Sequence, residues 1–458
     1  MVNFKLLLAS ALPLTTVLAF PQYAAESRGL NLAHFEKTVD DIIKRANIPQ
    51  LHADARERRR NKRAPTFSES QLVDITGVHA FKAPGASDTR GPCPGLNVLS
   101  NHGYFARNGN TNLVESISAL VEVFNMGVDT AVSPLTNSRL GQTSLLTSVS
   151  FSPAIQTVLV AYSIAIIGDP IALTWSIGRS PDKSTLLPGI LSAPGGIDQS
   201  HNNYESDASV TRGDSFLTNG DVWSVQIDKF KALYNLQPDP ATADYTRDIL
   251  VQHRNFTIQQ SISTNPNFYF APWSGLVVAT AAHNFVAHFF ANHSASRPEG
   301  YLDQSTLKSF FSIVGDTPET FTWVPGEERI PSNWYKPSTP YTLVDVVTEV
   351  VAAILAVPAA GKIGGNTGKV NSFVGVDVAN VTGGVLNAQT LLEGNNLFCF
   401  AYATARAGVP TILGGLVSTL GQTLGFLDSK LAGILPQLGC PQLDKLNLDA
   451  FNQFPGRG

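Results

Sequence analysis

The stretch Gly91-Pro92-Cys93-Pro94-Gly95-Leu96-Asn97-Val98-Leu99-Ser100-Asn101-His102-Gly103-Tyr104 constrains this chain more than any other. Proline fixes φ and has no amide hydrogen, so Pro92 and Pro94 set the backbone on both sides of Cys93. They suit a first helical turn, whose amides have no intrahelical partner. Leu96, Val98 and Leu99 carry the helix inward, and Asn101 to Gly103 stop it. Exposed amides and the helix dipole favour negative charge at such a start, which stabilises a thiolate at Cys93. That thiolate can attack a substrate or bind a metal. A buried structural cysteine is the alternative, and the Pro-Cys-Pro setting argues against it.

The ends of the chain bear on where it works. Residues 1–19 read as a secretory signal: Lys5 gives the positive start, Leu6 to Leu18 the apolar stretch, and Val17-Leu18-Ala19 a small-residue cleavage site. The stretch is too short and badly flanked to span a membrane. Residues 20–63 carry a charged run, Arg56 to Arg63, and read as a pro-segment cut behind the dibasic Lys62-Arg63. Removing residues 1–63 leaves 21 basic against 30 acidic side chains, about −9, which excludes a general affinity for nucleic acid or anionic membrane. The acceptor triplets at Asn255, Asn292 and Asn380 agree with a secreted, extracellular glycoprotein.

The mature chain, 64–458, reads as one all-α domain with a few short strands. Leu113, Ile117, Leu120, Val121 and Phe124 recur at three and four, which predicts a helix over Asn112–Met126. Phe151–Ile167 is a second apolar stretch, and Ile171–Ile177 alternates like a strand. Residues 180–203 read as a loop, Asp221–Tyr234 and Ala241–Ser263 as helices, and Ile412–Leu438 as packed surface helices. Tyr341–Ala356 is apolar enough to suggest a membrane span, but Asp345, Glu349 and Pro358 favour a core helix.

Two further stretches carry chemistry. In His201-Asn202-Asn203-Tyr204-Glu205-Ser206-Asp207-Ala208-Ser209, two carboxylates and a hydroxyl can converge oxygens on a hard cation; a helix cap with solvated charges is the alternative. In Leu276–Phe290, His283 and His288 could serve as proton shuttles near neutral pH, or lie buried and hydrogen-bonded. Phe268, Phe270, Phe285 and Phe289 fit an aromatic-lined cavity or a core.

Pro92-Cys93-Pro94, then Asn101-His102-Gly103-Tyr104 and Arg107-Asn108-Gly109, resemble the proximal segment of the fungal haem-thiolate peroxidases, the family of chloroperoxidase and the unspecific peroxygenases. Glu205-Ser206-Asp207-Ala208-Ser209 with Arg212, the Asn265-Pro266-Asn267-Phe268 segment and Glu327 to Tyr335 extend the likeness over most of residues 78–440. The resemblance implies the haem-thiolate peroxidase fold, haem b with its iron ligated by Cys93, and hydrogen peroxide oxidising or oxygenating a small organic substrate. It also implies a magnesium- or manganese-type cation beside a haem propionate, held by Glu205, the Ser206 carbonyl and the Ser209 hydroxyl. Chloroperoxidase-like members have His where this chain has Ser206, which disfavours the halide-oxidising alternative.

The longer peroxygenases supply a Glu above the iron to move a proton between the peroxide oxygens. Here that position falls at Ala282 or, with a one-residue slip, at His283, which is the candidate acid–base. Without either, a haem-binding protein of little turnover remains as an alternative. A cysteine protease does not, since no histidine-bearing protease signature accompanies Cys93. Three cysteines leave one thiol to be accounted for separately. The longer peroxygenases have a C-terminal disulfide, which implies Cys399 with Cys440 and leaves Cys93 free. Closing that loop stabilises the fold by about 4 kcal/mol.

Overall fold

The structure is a computed structural model that describes residues 48–61, 64–128, 174–178, 197, 201–202, 205–407, 440–443 and 445–457. The segments expected at 1–19, Phe151–Ile167 and Ile412–Leu438, and most of 180–203, lie outside the described residues. The architecture is mostly helical, with sheets of two or three very short strands.

Helix α1 (Ile48–Asn61) precedes the dibasic pair. Helix α2 is Pro94–Asn101: Cys93 caps it in extended conformation (φ −88°, ψ 109°), and Pro94 is its first residue, as the Pro-Cys-Pro reading requires. It ends at His102, and Gly103 then turns with φ 70°, where a Cβ would stand 3.0 Å from the Val78 carbonyl oxygen. Strand β1 (Asn110–Asn112) leads into α3 (Leu113–Phe124), inside the expected helix. β1 pairs antiparallel with β2 (Thr174–Ser176), which falls within the expected strand. The following Ile177 carbonyl passes so close to Gly91 that a Cβ there would meet it at 2.0 Å, so the Cys93 loop is pinned against this pair.

Two helices start later than their composition predicts, because aspartates hold the preceding residues in local turns. Asp221 accepts from the Trp223 and Ser224 amides, and α4 is only Ile227–Tyr234. Asp239 accepts from the Ala241 amide, and α5 runs from Arg247 to Thr264. Strand β3 (Tyr269–Phe270) leads into a π-helical segment, Pro272–Ala279, which continues as α6 (Thr280–Phe289). The wider turn is typical of functional sites. Next come α7 (Gln304–Phe311) and the β4–β5 hairpin (Ile313–Val314 and Thr322–Trp323).

Helix α8 (Leu343–Ala356) opens with a reciprocal Thr342–Asp345 capping box and is a core helix. Among the described residues no helix is long and apolar enough to cross a membrane. Strands β6 (Gly364–Gly365) and β7 (Val374–Gly375) complete the sheet begun by β3; α9 (Val378–Val381) and α10 (Asn396–Ala407) follow. Cys399 of α10 is bonded to Cys440, with Cα atoms 5.5 Å apart. Helices α5, α8 and the π-helical segment pack around α6. An aromatic core sits beneath it, with Phe290 stacked on Phe310 at 4.2 Å and the Trp334 indole donating to the Phe290 carbonyl at 3.1 Å.

Candidate active site

A cavity of about 270 Å³ opens between the start of α2 and the π-helical segment with α6. One wall holds Cys93, the free cysteine among the described residues, together with Pro94 and Gly95. The facing wall is the stripe Val278, Ala282, Phe285 and Phe289, spaced as one face of a helix. Glu205, Ser206, Ser209 and Arg212 close one side.

Cys93 lines the cavity and is part-buried. Burial pushes its pKa up, and the Gly95 and Leu96 amides and the Arg212 guanidinium pull it back down. With no positive ion on the sulfur, desolvation opposes the charge that the helix start favours. The amide donors are nevertheless in place for a thiolate bound to a cation.

Behind Cys93 lies a buried polar network that sequence reasoning missed. Asn97 of α2 exchanges two 2.9 Å hydrogen bonds with the Gly91 backbone, fixing the loop before the cysteine. Its amide also donates to Glu328 Oε1 at 2.9 Å. Glu328 is fully buried, and desolvation raises its pKa against the pull of Arg212 and Asn97. Arg212 donates from Nε to the Pro92 carbonyl at 2.9 Å, and its Nη2 lies 3.6 Å from Glu328 Oε1. Both of its terminal nitrogens lack a hydrogen bond among the described residues. The sequence likeness over Glu327 to Tyr335 gives Glu328 no role of its own, and its closeness to Asn97 and Arg212 in space does.

The segment Glu205–Asp214 divides its carboxylates. Asp207 and Asp214 turn into the protein, where Asn265 donates to both at 3.0 and 3.1 Å and Lys229 pairs with Asp214 at 3.1 Å. Burial and the neighbouring Asp214 raise the pKa of Asp207. Glu205 and Asp207 therefore do not converge on one ion. Glu205 instead lines the cavity, accepts from His201 Nδ1 at 2.6 Å through Oε2, and leaves Oε1 without a hydrogen bond among the described residues. Burial opposes the charge on His201, but Glu205, Asp207 and Asp214 together raise its pKa to about 9. The Ser209 hydroxyl donates to the Ser206 carbonyl at 2.7 Å, so those two oxygens lie side by side, and both residues line the cavity with Glu205. Among the described residues no group of three or more His, Cys, Asp or Glu side chains could hold a metal. The Glu205 set is of a different kind: one carboxylate, one carbonyl and one hydroxyl.

His283 does not line the cavity; Ala282 does. One residue turns a side chain by about 100° around a helix, and this carries His283 away to the far side of α6. There its Nδ1 meets the Ala279 carbonyl at 2.8 Å and its ring lies 5.6 Å from that of His253. Burial, with Arg254 and His253 nearby, holds it well below the usual histidine range. His288 is turned to Tyr341, with ring centroids 4.3 Å apart. Among the described residues the wall facing Cys93 thus offers no ionisable side chain. Asn255 and Asn380 are exposed, whereas Asn292 already accepts from the Tyr335 amide at 2.8 Å and donates to the Asn333 carbonyl.

The site thus joins a helix-capping cysteine to a largely apolar chamber, with a guanidinium and a carboxylate among the lining side chains. The sequence of the family described as "Peroxidase, family 2" matches residues 79–339, and the chain belongs to this fungal haem-thiolate peroxidase family. It is 36% identical over 456 residues to the aromatic peroxidase fscJ of Fusarium equiseti, covering 96% of this chain and 95% of that one. It is 37% identical over 390 residues to the dothistromin biosynthesis peroxidase dotB of Dothistroma septosporum, covering 84% and 86%. An aromatic peroxygenase of Cyclocybe aegerita is 29% identical over 357 residues, covering 78% and 79%. The chain is accordingly a peroxidase acting with hydrogen peroxide.

Proposed function

We propose that this chain is a secreted haem-thiolate peroxidase of the peroxygenase type, which uses hydrogen peroxide to oxidise or oxygenate small, largely apolar organic molecules. The observation that carries the proposal is Cys93, free, capping a helix and lining a cavity whose facing wall is Val278, Ala282, Phe285 and Phe289. The residues present fit haem. Cys93 would hold the iron, the hydrogen-bond-deficient Arg212 nitrogens suit a cofactor with a carboxylate edge, and the free Glu205 Oε1 suits a cation. Bound there, haem with a thiolate ligand supplies heterolytic cleavage of the peroxide O–O bond and oxidising power.

The chain's own residues do the rest. The Gly95 and Leu96 amides and Arg212 moderate the electron donation of the sulfur. Glu205 through its free Oε1, the Ser206 carbonyl and the Ser209 hydroxyl would hold a magnesium- or manganese-type cation, whose charge offsets the buried carboxylates around it. Phe285 and Phe289 exclude water and give an uncharged substrate a surface to pack on, which disfavours a hydrated halide. The acid–base role expected of His283 is not carried forward, because its ring lies behind α6. Secretion is supported by the Cys399–Cys440 bridge, which suits an oxidising compartment.

The test is a reduced, carbon-monoxide-treated absorbance spectrum followed by peroxide-dependent oxidation of an aromatic donor. A thiolate-type band and turnover are expected. Absence of thiolate-ligated haem would sink the proposal.

A further inference from the structure

Helix α1 lies within the stretch that the sequence marks as removable, directly before Lys62-Arg63, yet it is seated on the body of the enzyme. His52 and Ala55 are buried, and Arg59, a turn further along the same face, reaches α8. Arg59 Nε donates to Asp345 Oδ1 at 2.8 Å and its Nη2 to Glu349 Oε1 at 3.0 Å, so one guanidinium bridges two carboxylates one helical turn apart. Arg58 donates to the Pro340 carbonyl at 3.2 Å and lies 3.8 Å from Asp345. The two carboxylate side chains are only 11% and 17% exposed, which makes this a stronger contact than a solvated surface pair.

The contact leads towards the substrate wall. Glu349 accepts from the Tyr341 hydroxyl at 2.7 Å through Oε2, its other oxygen. The Tyr341 ring lies 5.3 Å from that of Phe289 and 5.8 Å from that of Phe285, the two phenylalanines facing Cys93 across the cavity. Only Glu349 and Tyr341 separate Arg59 from that wall.

We propose that α1 is a detachable strap: an intramolecular partner whose docking surface is the Asp345–Glu349 pair on α8 and which braces the phenylalanine wall through Tyr341. Cleavage after Arg63 then leaves the strap held without a covalent link, by the burial of His52 and Ala55 and by the Arg58 and Arg59 contacts to Pro340 and α8, so salt weakens its hold. Its departure loosens the segments carrying Tyr341, Phe285 and Phe289.

The experiment cuts purified full-length protein at a single engineered site-specific protease sequence placed directly behind Arg63, because Lys44-Arg45 and Arg58-Arg59-Arg60 are dibasic too, and follows both fragments by gel filtration and mass spectrometry. At low salt the fragment carrying α1 is expected to co-elute with 64–458. It should leave at about 1 M salt, where charges are screened within about 3 Å. Arg59→Glu should release it at low salt, and adding Glu349→Arg should restore retention. In the uncut chain, Arg59→Glu should speed amide exchange over 341–349 and 281–289 by about tenfold, a measurement that stands even if the Glu349 variant fails to fold. A wild-type fragment that separates at once in low salt overturns the strap. Identical exchange in wild type and Arg59→Glu overturns the bracing.

Discussion

The two walls of the cavity are built on opposite principles. Around Cys93 the wall is polar and cross-linked: Asn97 is bonded to the Gly91 backbone and Glu328, Arg212 Nε to the Pro92 carbonyl, and the sulfur to two amides. Across from it the described wall is hydrocarbon, and its nearest imidazoles, on His283 and His288, are turned away. The difference teaches that charge is managed from the cysteine side, where buried dipoles fixed before reaction cost no reorganisation. The facing side contributes exclusion of water and shape.

Four changes and one titration would break or sharpen that contrast. Cys93→Ala has the largest expected effect, complete loss of bound haem, read as absorbance per chain after purification; retained thiolate-type haem would break the contrast at its root. Next, Glu328→Gln strands Arg212 in the interior. One partner removed from a buried pair costs about 3 kcal/mol, read as a lower unfolding midpoint in urea. An unchanged midpoint would mean that the network is slack. Installing a carboxylate by Ala282→Glu gives the hydrocarbon wall the acid–base group it lacks. Peroxide turnover should then rise about a hundredfold, the low end for a positioned group; no rise would mean that proton transfer is already served from elsewhere.

Acid should act on the layer behind the apolar wall. Burial first, then neighbouring positive groups, lower His253 and His288 to about 3, against 6.5 for the free side chain. The unfolded chain therefore takes up protons that the folded one refuses. Stability from these neutral imidazoles is full above about pH 6.5 and is lost as pH falls from there toward 3. Thermal midpoints across that range should fall, and less steeply in His253→Leu. The smallest effect is expected of His283→Ala, which should leave peroxide turnover within about twofold of wild type; a large loss would restore His283 to the chemistry.

Local signals were legible. Pro92 and Pro94 announce a helix start because their effect is confined to neighbouring residues, and α2 begins at Pro94. The periodicities of α3 and α8 place those helices within one or two residues, since one-sided burial needs that spacing. The late starts of α4 and α5 were hidden because the Asp221 and Asp239 side chains compete with the helix for backbone amides, which composition does not reveal. Helix α1 read as disposable because its basic run points to cleavage, while the carboxylates it docks on lie some 290 residues away.

The sequence by itself determined the cysteine at a helix start, the Cys399–Cys440 pairing implied by family likeness, and the mostly helical build; each depends on short-range geometry or on motifs intact in the chain. Tertiary structure alone decided which way the helices turn. It set Ala282 rather than His283 against the cavity, drew Asp207 away from Glu205, and brought Glu328 to Asn97 from 231 residues away. The physical reason is that a helix's rotation about its axis is fixed by the neighbours it packs against, and a buried charge by the partner that can pay for its desolvation.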